Sequence, residues 1–412
     1  MKKIDGCEVC GGSELQPSLD LGKHPMCDDL VPVGNPIRPT LFPISIVFCP
    51  ICKTAHQSFQ IPKHTLFPTN YHYRARHTAD VLNGMQDLVE RCEAYVENLS
   101  DIKVLDIGCN DGSLLSFFAE KGAKCFGIEP TDAAADAAKA GHIVINDFLT
   151  PEVAERFVAE QGSPDIITFT NVFAHIEDLP SVIRALLTLA NPTTVLVIEN
   201  HYLGAVLDRY QFDTFYHEHP RTYSLSSFVK IAASLGCKVV SAEFPKRYGG
   251  NIRVIMSFNN AHSENDLSIF EEQIRTEEGF GDRLNKMGRL IPRWREVKRA
   301  EISEAVAKHG PLHGKAFPGR AAILVKLLDL DETMIQAVYE KPGSMKIGNY
   351  IPGTRIPILS DDEFDARPSK NTPLLNLAWH IASEIHGYMR KRGYNGEIID
   401  LFSTDEFDRL TP

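Results

Sequence analysis

Five short β-branched runs lie between Ile102 and Glu199, each followed by a stretch long enough for a helix, and they constrain this 412-residue chain more than any other feature. They read "KVLDIG", "AKCFGIE", "HIVIN", "DIITFT" and "TTVLVIE". Strands alternating with helices define a parallel α/β sheet, and such sheets bind ligands at the carboxyl ends of their strands. The first run opens into "VLDIGCNDGSLLSFF", which puts Asp106, Gly108, Asn110 and Gly112 around the turn before a helix. The second ends at Glu129 in "GIEP", where a carboxylate can accept both hydroxyls of a ribose. The third leads into "NDFL", with Asp147 and Phe148 placed to hold an adenine ring by an acceptor and an aromatic face. The fourth runs into "NVFAHIEDL", bringing Asn171 and His175 to the same edge, either as binding residues or as a turn residue and a satisfied helix-start histidine. A full G-x-G-x-x-G is absent, so the turn alone is weak evidence; the four converging strand ends are what define a cleft.

Ahead of this segment stand two C-x-x-C knuckles, "CEVC" at Cys7 and Cys10 and "CPIC" at Cys49 and Cys52. Four thiolates so spaced close a tetrahedron around Zn²⁺ and leave no open position for water, so the expected metal is structural. His24, His56 and His64 could substitute as ligands, but the thiolates already fill the shell. The other five cysteines are scattered and read as small core residues of a reducing compartment.

No apolar stretch approaches a bilayer span and no apolar signal core follows "MKKIDGCEVC", which gives the expectation of a cytoplasmic protein without membrane contact. A net charge of -11 argues against a nucleic-acid partner, since phosphate affinity needs clustered Lys and Arg.

The central motifs resemble the class I S-adenosylmethionine-dependent methyltransferase domain; a flavodoxin-like or dehydrogenase domain is the plain alternative. The whole order resembles one family: a four-cysteine module, the methyltransferase motifs, "FYHEH", "YGGNIRVIM", and a second α/β region with "GNYIPGTRIPI" and "LLNLAWHIASEI". That family is the nucleotide-sugar C-methyltransferases. The resemblance implies a zinc-binding domain over residues 1–70, a methyltransferase domain over 71–258 and a C-terminal Rossmann-like α/β domain over 259–412. It also implies S-adenosylmethionine held by Asp106, Gly108, Asn110, Glu129, Asp147 and Phe148, structural zinc, and a nucleotide-diphospho-sugar substrate bound by a monomer or small homo-oligomer.

Methylating carbon requires removing a proton beside a ketone and holding the enolate, hence a base, an oxyanion donor and close alignment. The run "FDTFYHEHPRTYSL" supplies imidazoles, a carboxylate and phenols. By family pattern, His219 is the expected base, Glu218 its orienter or a stand-in base, and Tyr216 the donor near the enolate. His217 is expected to face away, by the alternation of an extended segment. Tyr223 reads as a half-buried aromatic.

Tyr71 and Tyr73 match the family's Tyr-x-Tyr substrate element. Arg74, Arg76, Tyr248 and Asn251 depart from its pattern, and the two arginines could meet an anionic substrate or be solvated linker charges. In the C-terminal region the resemblance offers Gly319, Lys341, Gly353 and Thr354 as nucleotide-sugar contacts, against a scaffold that only packs; "GEIIDL" is expected as a last strand before a short acidic tail. Two other activities fit less well: O-methylation of a sugar hydroxyl, and RNA methylation by a zinc-ribbon binder.

Overall fold

The computed structural model describes residues 1–67, 69, 74–96, 98–259, 267–366 and 372–410, with the backbone alone at 248 and 267. Tyr71 and Tyr73 lie outside the described residues, as does the side chain of Tyr248. The chain divides into two compact units. One comprises Met1–Gln16, Val47–Val206 and Glu218–Gly281; the other comprises Pro17–Ile46, Leu207–His217 and Asp282–Pro412.

The first unit is built on a seven-stranded sheet. Its strands are β1 (Lys103–Ile107), β2 (Lys124–Ile128), β3 (Ile143–Ile145), β4 (Ile166–Thr170), β5 (Val195–His201), β6 (Lys238–Glu243) and β7 (Asn251–Ser257). They lie in the order β6-β7-β5-β4-β1-β2-β3, with β7 antiparallel to both its neighbours. The five β-branched runs of the sequence are β1 to β5, within two residues at each end. β4 and β5 are buried along nearly every residue, because helices cover both faces of a parallel sheet. Edge strand β3 leaves Ile143 57% exposed. Helices α1 (Ala79–Cys92), α2 (Ser113–Glu120), α3 (Ala133–Lys139), α4 (Pro151–Gln161), α5 (Leu179–Leu189) and α6 (Leu225–Leu235) accompany the strands. The winding reverses between β1 and β4, and the crevice of such a sheet opens at that reversal.

The second unit contains a smaller sheet of β8 (Leu312–Lys315), β9 (Ile335–Glu340), β10 (Ile358–Ser360), β11 (Leu374–Asn376) and β12 (Ile398–Asp400). It is parallel throughout, in the order β10-β9-β8-β11-β12, so this region too is Rossmann-like. The charge-rich span before it forms α7 (Phe280–His309), a 30-residue helix that continues through Pro292. Leu284, Met287, Ile291 and Trp294 recur every three or four residues, with Ile302 two turns further on, and all are buried, so one stripe faces the core while most of the mixed charges face out. The expected tail is instead a helix, Thr404–Leu410. Phe407 anchors it against Trp294 and Phe402, an attachment no local pattern announces.

Candidate active site and metal centre

The four knuckle sulfurs of Cys7, Cys10, Cys49 and Cys52 lie within 4.8 Å of one another. Cys7 and Cys52 are 3.4 Å apart and Cys10 and Cys49 3.6 Å apart. A tetrahedron of sulfurs bound to Zn²⁺ has edges of about 3.8 Å, so the donor set fits that ion. Among the described residues no other group of His, Cys, Asp and Glu gathers this way. His56 sits outside the shell with Nε2 3.3 Å from the Cys7 sulfur. Burial pushes its pKa down to about 3, so the neutral ring can donate to that sulfur. His64 instead packs edge-on against Phe148, and the His24 ring pairs with the Leu21 carbonyl.

The glycine-rich turn after β1 is shaped by backbone that side chains oppose. Gly108 (φ 71°) and Gly112 (φ 78°) are left-handed, and a Cβ on Gly108 would stand 2.6 Å from Val172. Asn110 is also left-handed; its N–H donates to a Glu129 carboxylate oxygen at 3.0 Å and its side-chain carbonyl accepts from Ala75 N–H. The other Glu129 oxygen accepts from the Thr131 amide and hydroxyl, so the carboxylate is aimed before any ligand arrives. Asp106 differs from its neighbours: it is buried, accepts from Thr168 at 2.7 Å, and burial raises its pKa to about 7. It braces β1 against β4. Asp147 caps its own strand exit by accepting from Phe148 N–H, and Lys63 lies 4.3 Å from the centre of the Phe148 ring. Arg74 and Arg76 do not face solvent alone: Arg74 binds Asp132 and Asp136 at 2.8 and 2.9 Å, and Arg76 binds Asp136 at 3.1 Å.

At the adjoining strand ends the structure gathers imidazoles. His175, in a 3₁₀ turn after β4, and His219 have ring centres 4.8 Å apart. His201, at the end of β5, is 5.4 Å from His219 and drew no attention in the sequence because nothing local marks it. The His175 Nδ1–H donates to the Glu218 carbonyl at 2.8 Å, leaving Nε2 as the acceptor, and burial lowers its pKa to about 4. Asn171 is left-handed, donates its N–H to the Glu199 carbonyl at 2.7 Å and accepts from Asn251. Three buried polar atoms here have no partner: Thr170 Oγ1, Asn200 Nδ2 and Asn251 Oδ1. Strand register puts Thr170 and Asn251 on the face shared by Glu199 and His201, while Asn200, between those two, faces the other side of the sheet. Buried polar atoms without partners are costly in a finished core and expected where a polar ligand docks.

The sequence also gave no sign of Glu199. Its carboxylate is fully buried and accepts from Arg253 at 2.7 Å, from Asn251 at 3.0 Å and from Arg247. This ties β5 to β7 beneath the cleft.

Tyr216 and His217 belong to the second unit, the boundary falling between His217 and Glu218. The segment around them is a turn after the 3₁₀ turn Phe212–Thr214, so the alternation of an extended strand does not orient it. His217 Nε2 pairs instead with the Phe42 carbonyl at 3.1 Å. Tyr223 is wholly buried, more so than a half-buried aromatic. Of the C-terminal residues, Gly353 is left-handed against Pro25, and the Thr354 hydroxyl is spent on the Ile351 carbonyl at 2.9 Å. The Lys341 ammonium lies 5.2 Å from the Tyr388 ring centre, and Gly319 passes close to Cys27 and Asp28. The helix after Gly319, Ala321–Leu327, spans seven residues. A stronger polar cluster, which no local sequence pattern marks, lies at the carboxyl ends of β8 and β10, where buried Lys315 binds both oxygens of Asp361 at 2.7 and 2.9 Å. Tyr388 donates to the same carboxylate.

Three family models match the chain in tandem: a zinc binding domain over residues 7–67, a methyltransferase domain over 74–242 and a C-methyltransferase C-terminal domain over 246–399. With the strand order of the first unit, they make the protein a methyltransferase of the class I fold. Its three-part organisation resembles that of a C-methyltransferase: it is 28% identical over 391 residues to C-methyltransferase NovU of Streptomyces niveus, spanning 93% of this chain and 92% of that one. Similarity to ubiquinone biosynthesis O-methyltransferase of Rhodopseudomonas palustris is 31% over 113 residues, only 26% of this chain and 44% of that protein. Among solved structures, magnesium protoporphyrin IX methyltransferase of Synechocystis aligns with a TM-score of 0.34 at 17% identity, over 43% of this chain and 79% of that one. Among the described residues, no helix is long and apolar enough to cross a membrane.

Proposed function

We propose that the protein transfers a methyl group from S-adenosylmethionine to a carbon beside the ketone of a nucleotide-linked sugar. The observation that carries the reading is the pair of imidazoles, His175 and His219, at the sheet edge beside the glycine-rich turn. The similarity to a C-methyltransferase over nearly the full chain supports carbon as the acceptor, whereas the similarity to an O-methyltransferase is partial.

Bound S-adenosylmethionine would supply an electrophilic methyl carbon. On this reading Asn110 and Gly108 shape the turn that receives it, Glu129 accepts from its ribose, and Asp147 and Phe148 border the adenine, while Asp106 acts through β1 rather than by contact. His219 takes the proton from the carbon next to the ketone. Glu218 orients that ring, and by family pattern Tyr216 donates to the enolate oxygen. Neutral His175, with its Nδ1–H held by the Glu218 carbonyl, presents Nε2 as an acceptor toward a substrate hydroxyl. Gly319, Lys341, Gly353 and Thr354 are the nucleotide-sugar contacts proposed in the C-terminal region, with Thr354 weakened by its internal hydrogen bond.

The test is solvent exchange. In deuterated water, with a panel of nucleotide-linked 4-keto sugars and no methyl donor, the protein is expected to label one carbon-bound position. His219→Asn should abolish that labelling while calorimetric affinity for S-adenosylmethionine stays within about two-fold. Undiminished exchange in the variant removes His219 as the base, and a methoxy signal in the product would replace carbon by oxygen as the acceptor.

A further inference from the structure

Arg221 lies two residues beyond His219, and its side chain is entirely buried. A buried guanidinium is costly unless its donors are matched, and here they are matched to three separate parts of the unit. Nη1 donates to Glu8, the residue directly after the knuckle ligand Cys7. Nη2 donates to the Ile176 carbonyl and, at 3.3 Å, to that of Glu177, directly beyond the 3₁₀ turn Phe173–His175. Nε donates to the Tyr223 hydroxyl at 3.1 Å. Two more ties run the same way. Arg221 pairs in antiparallel register with His56, whose ring touches the Cys7 sulfur. The Cys52 carbonyl accepts from the Ser224 and Ser227 hydroxyls, each at 3.2 Å.

We infer that Arg221 is a positioning residue: its fork joins Glu8 in the first cysteine knuckle to the backbone carrying His175 and His219, so that the knuckles set the spacing of the two imidazoles. The step from arrangement to role is geometric. The His175 ring is held from one side by the Glu218 carbonyl and from the other by the position of its own turn, which Arg221 fixes at Ile176. Moving either end of the fork changes how the two rings face each other. Lysine cannot substitute, because a single ammonium cannot serve the carboxylate, the carbonyls and the phenol in one plane. Glu8 is itself anchored, accepting from Gln60 at 2.6 Å, so the knuckle end of the link does not swing freely.

The inference rests on the proposed function only for the consequence to catalysis; the positional claim is tested without substrate. Full-length protein labelled with isotopic histidine is compared with Glu8→Gln and Arg221→Lys, the His175 and His219 imidazole signals being assigned through His175→Asn and His219→Asn. Glu8→Gln removes one charge from a partly exposed residue and leaves all four sulfurs in place, so it stays readable if Arg221→Lys folds poorly. The expected result is displacement of the His175 and His219 signals, with zinc content unchanged and the signals of His24, His217 and His380 unmoved. Unmoved His175 and His219 signals in Glu8→Gln at full zinc content would overturn the inference. Where ketone exchange is measurable, kcat for exchange should fall about 10- to 100-fold in Glu8→Gln with KM little changed, the range seen when a residue supporting a site ligand is lost. A fall in affinity alone would contradict the positioning role.

Discussion

His175 gives the sharpest quantitative expectation. Burial holds its pKa near 4 against an ordinary 6.5, and the Glu218 carbonyl keeps Nδ1 protonated in the neutral ring. The folded protein therefore refuses a proton that the unfolded chain accepts as soon as the pH falls below about 6.5. Stability contributed by the neutral ring is intact above that value, declines as the pH drops, and is fully lost below about 4. A gap of this size corresponds to about 3 kcal/mol in all, and to about 2 kcal/mol between pH 7 and pH 5. His175→Asn keeps a side-chain N–H in reach of the Glu218 carbonyl and does not titrate. Because the two units need not unfold together, the assay is native-state hydrogen exchange of peptides from β4 and from residues 218–222 rather than a single melting curve. Between pH 7 and pH 5 the original protein should lose about 2 kcal/mol more opening free energy than the variant. Equal losses in both would show that the ring is charged or solvated in the folded state, and the assigned acceptor role of Nε2 would fall with it.

Other perturbations have equally definite outcomes. Cys49→Ser should bring bound zinc, measured by elemental analysis, well below one per chain and speed exchange across residues 1–16 and 47–60, since a thiolate set stabilises its fold only when complete. Glu199→Leu should cost about 3–5 kcal/mol in chemical denaturation of the first unit, because Arg253 is fully buried and loses a carboxylate at 2.7 Å; a cost below about 1 kcal/mol would refute that pairing. Gly84→Ala would normally favour a helix by about 1 kcal/mol, but its Cβ would occupy the place of the Arg247 guanidinium, so that side chain must leave Glu199 and the measured gain in chemical denaturation should fall short of that value; a full gain would show that the Arg247–Glu199 pair adds nothing.

Local signals carried much of this protein into view. Each β-branched run became a strand because its residue types favour an extended, pleated backbone locally, and the two C-x-x-C knuckles defined a metal site because spacing alone sets which thiolates share a turn. The same holds for the turn after β1, where Gly108, Asn110 and Gly112 adopt the left-handed backbone that their residue types allow. Where a local rule's premise did not hold, the structure supplied another reason: His217 lies in a turn, so strand alternation does not orient it and its ring instead pairs with the Phe42 carbonyl, and the C-terminal residues form a helix because Phe407 finds an aromatic pocket far away in sequence.

What only tertiary structure decided is who meets whom across long separations. Glu199 became the partner of Arg253 and Arg247 about fifty residues on, His201 joined His175 and His219, and Arg221 reached Glu8 across 213 positions. The charge of a glutamate or arginine in a sequence does not name its partner; burial does, because a buried charge persists only where another chain segment has been folded against it. The sequence by itself therefore determined the strands, the metal ligands and the chemical types available at the cleft, while the folded chain chose which imidazoles face each other and what holds them there.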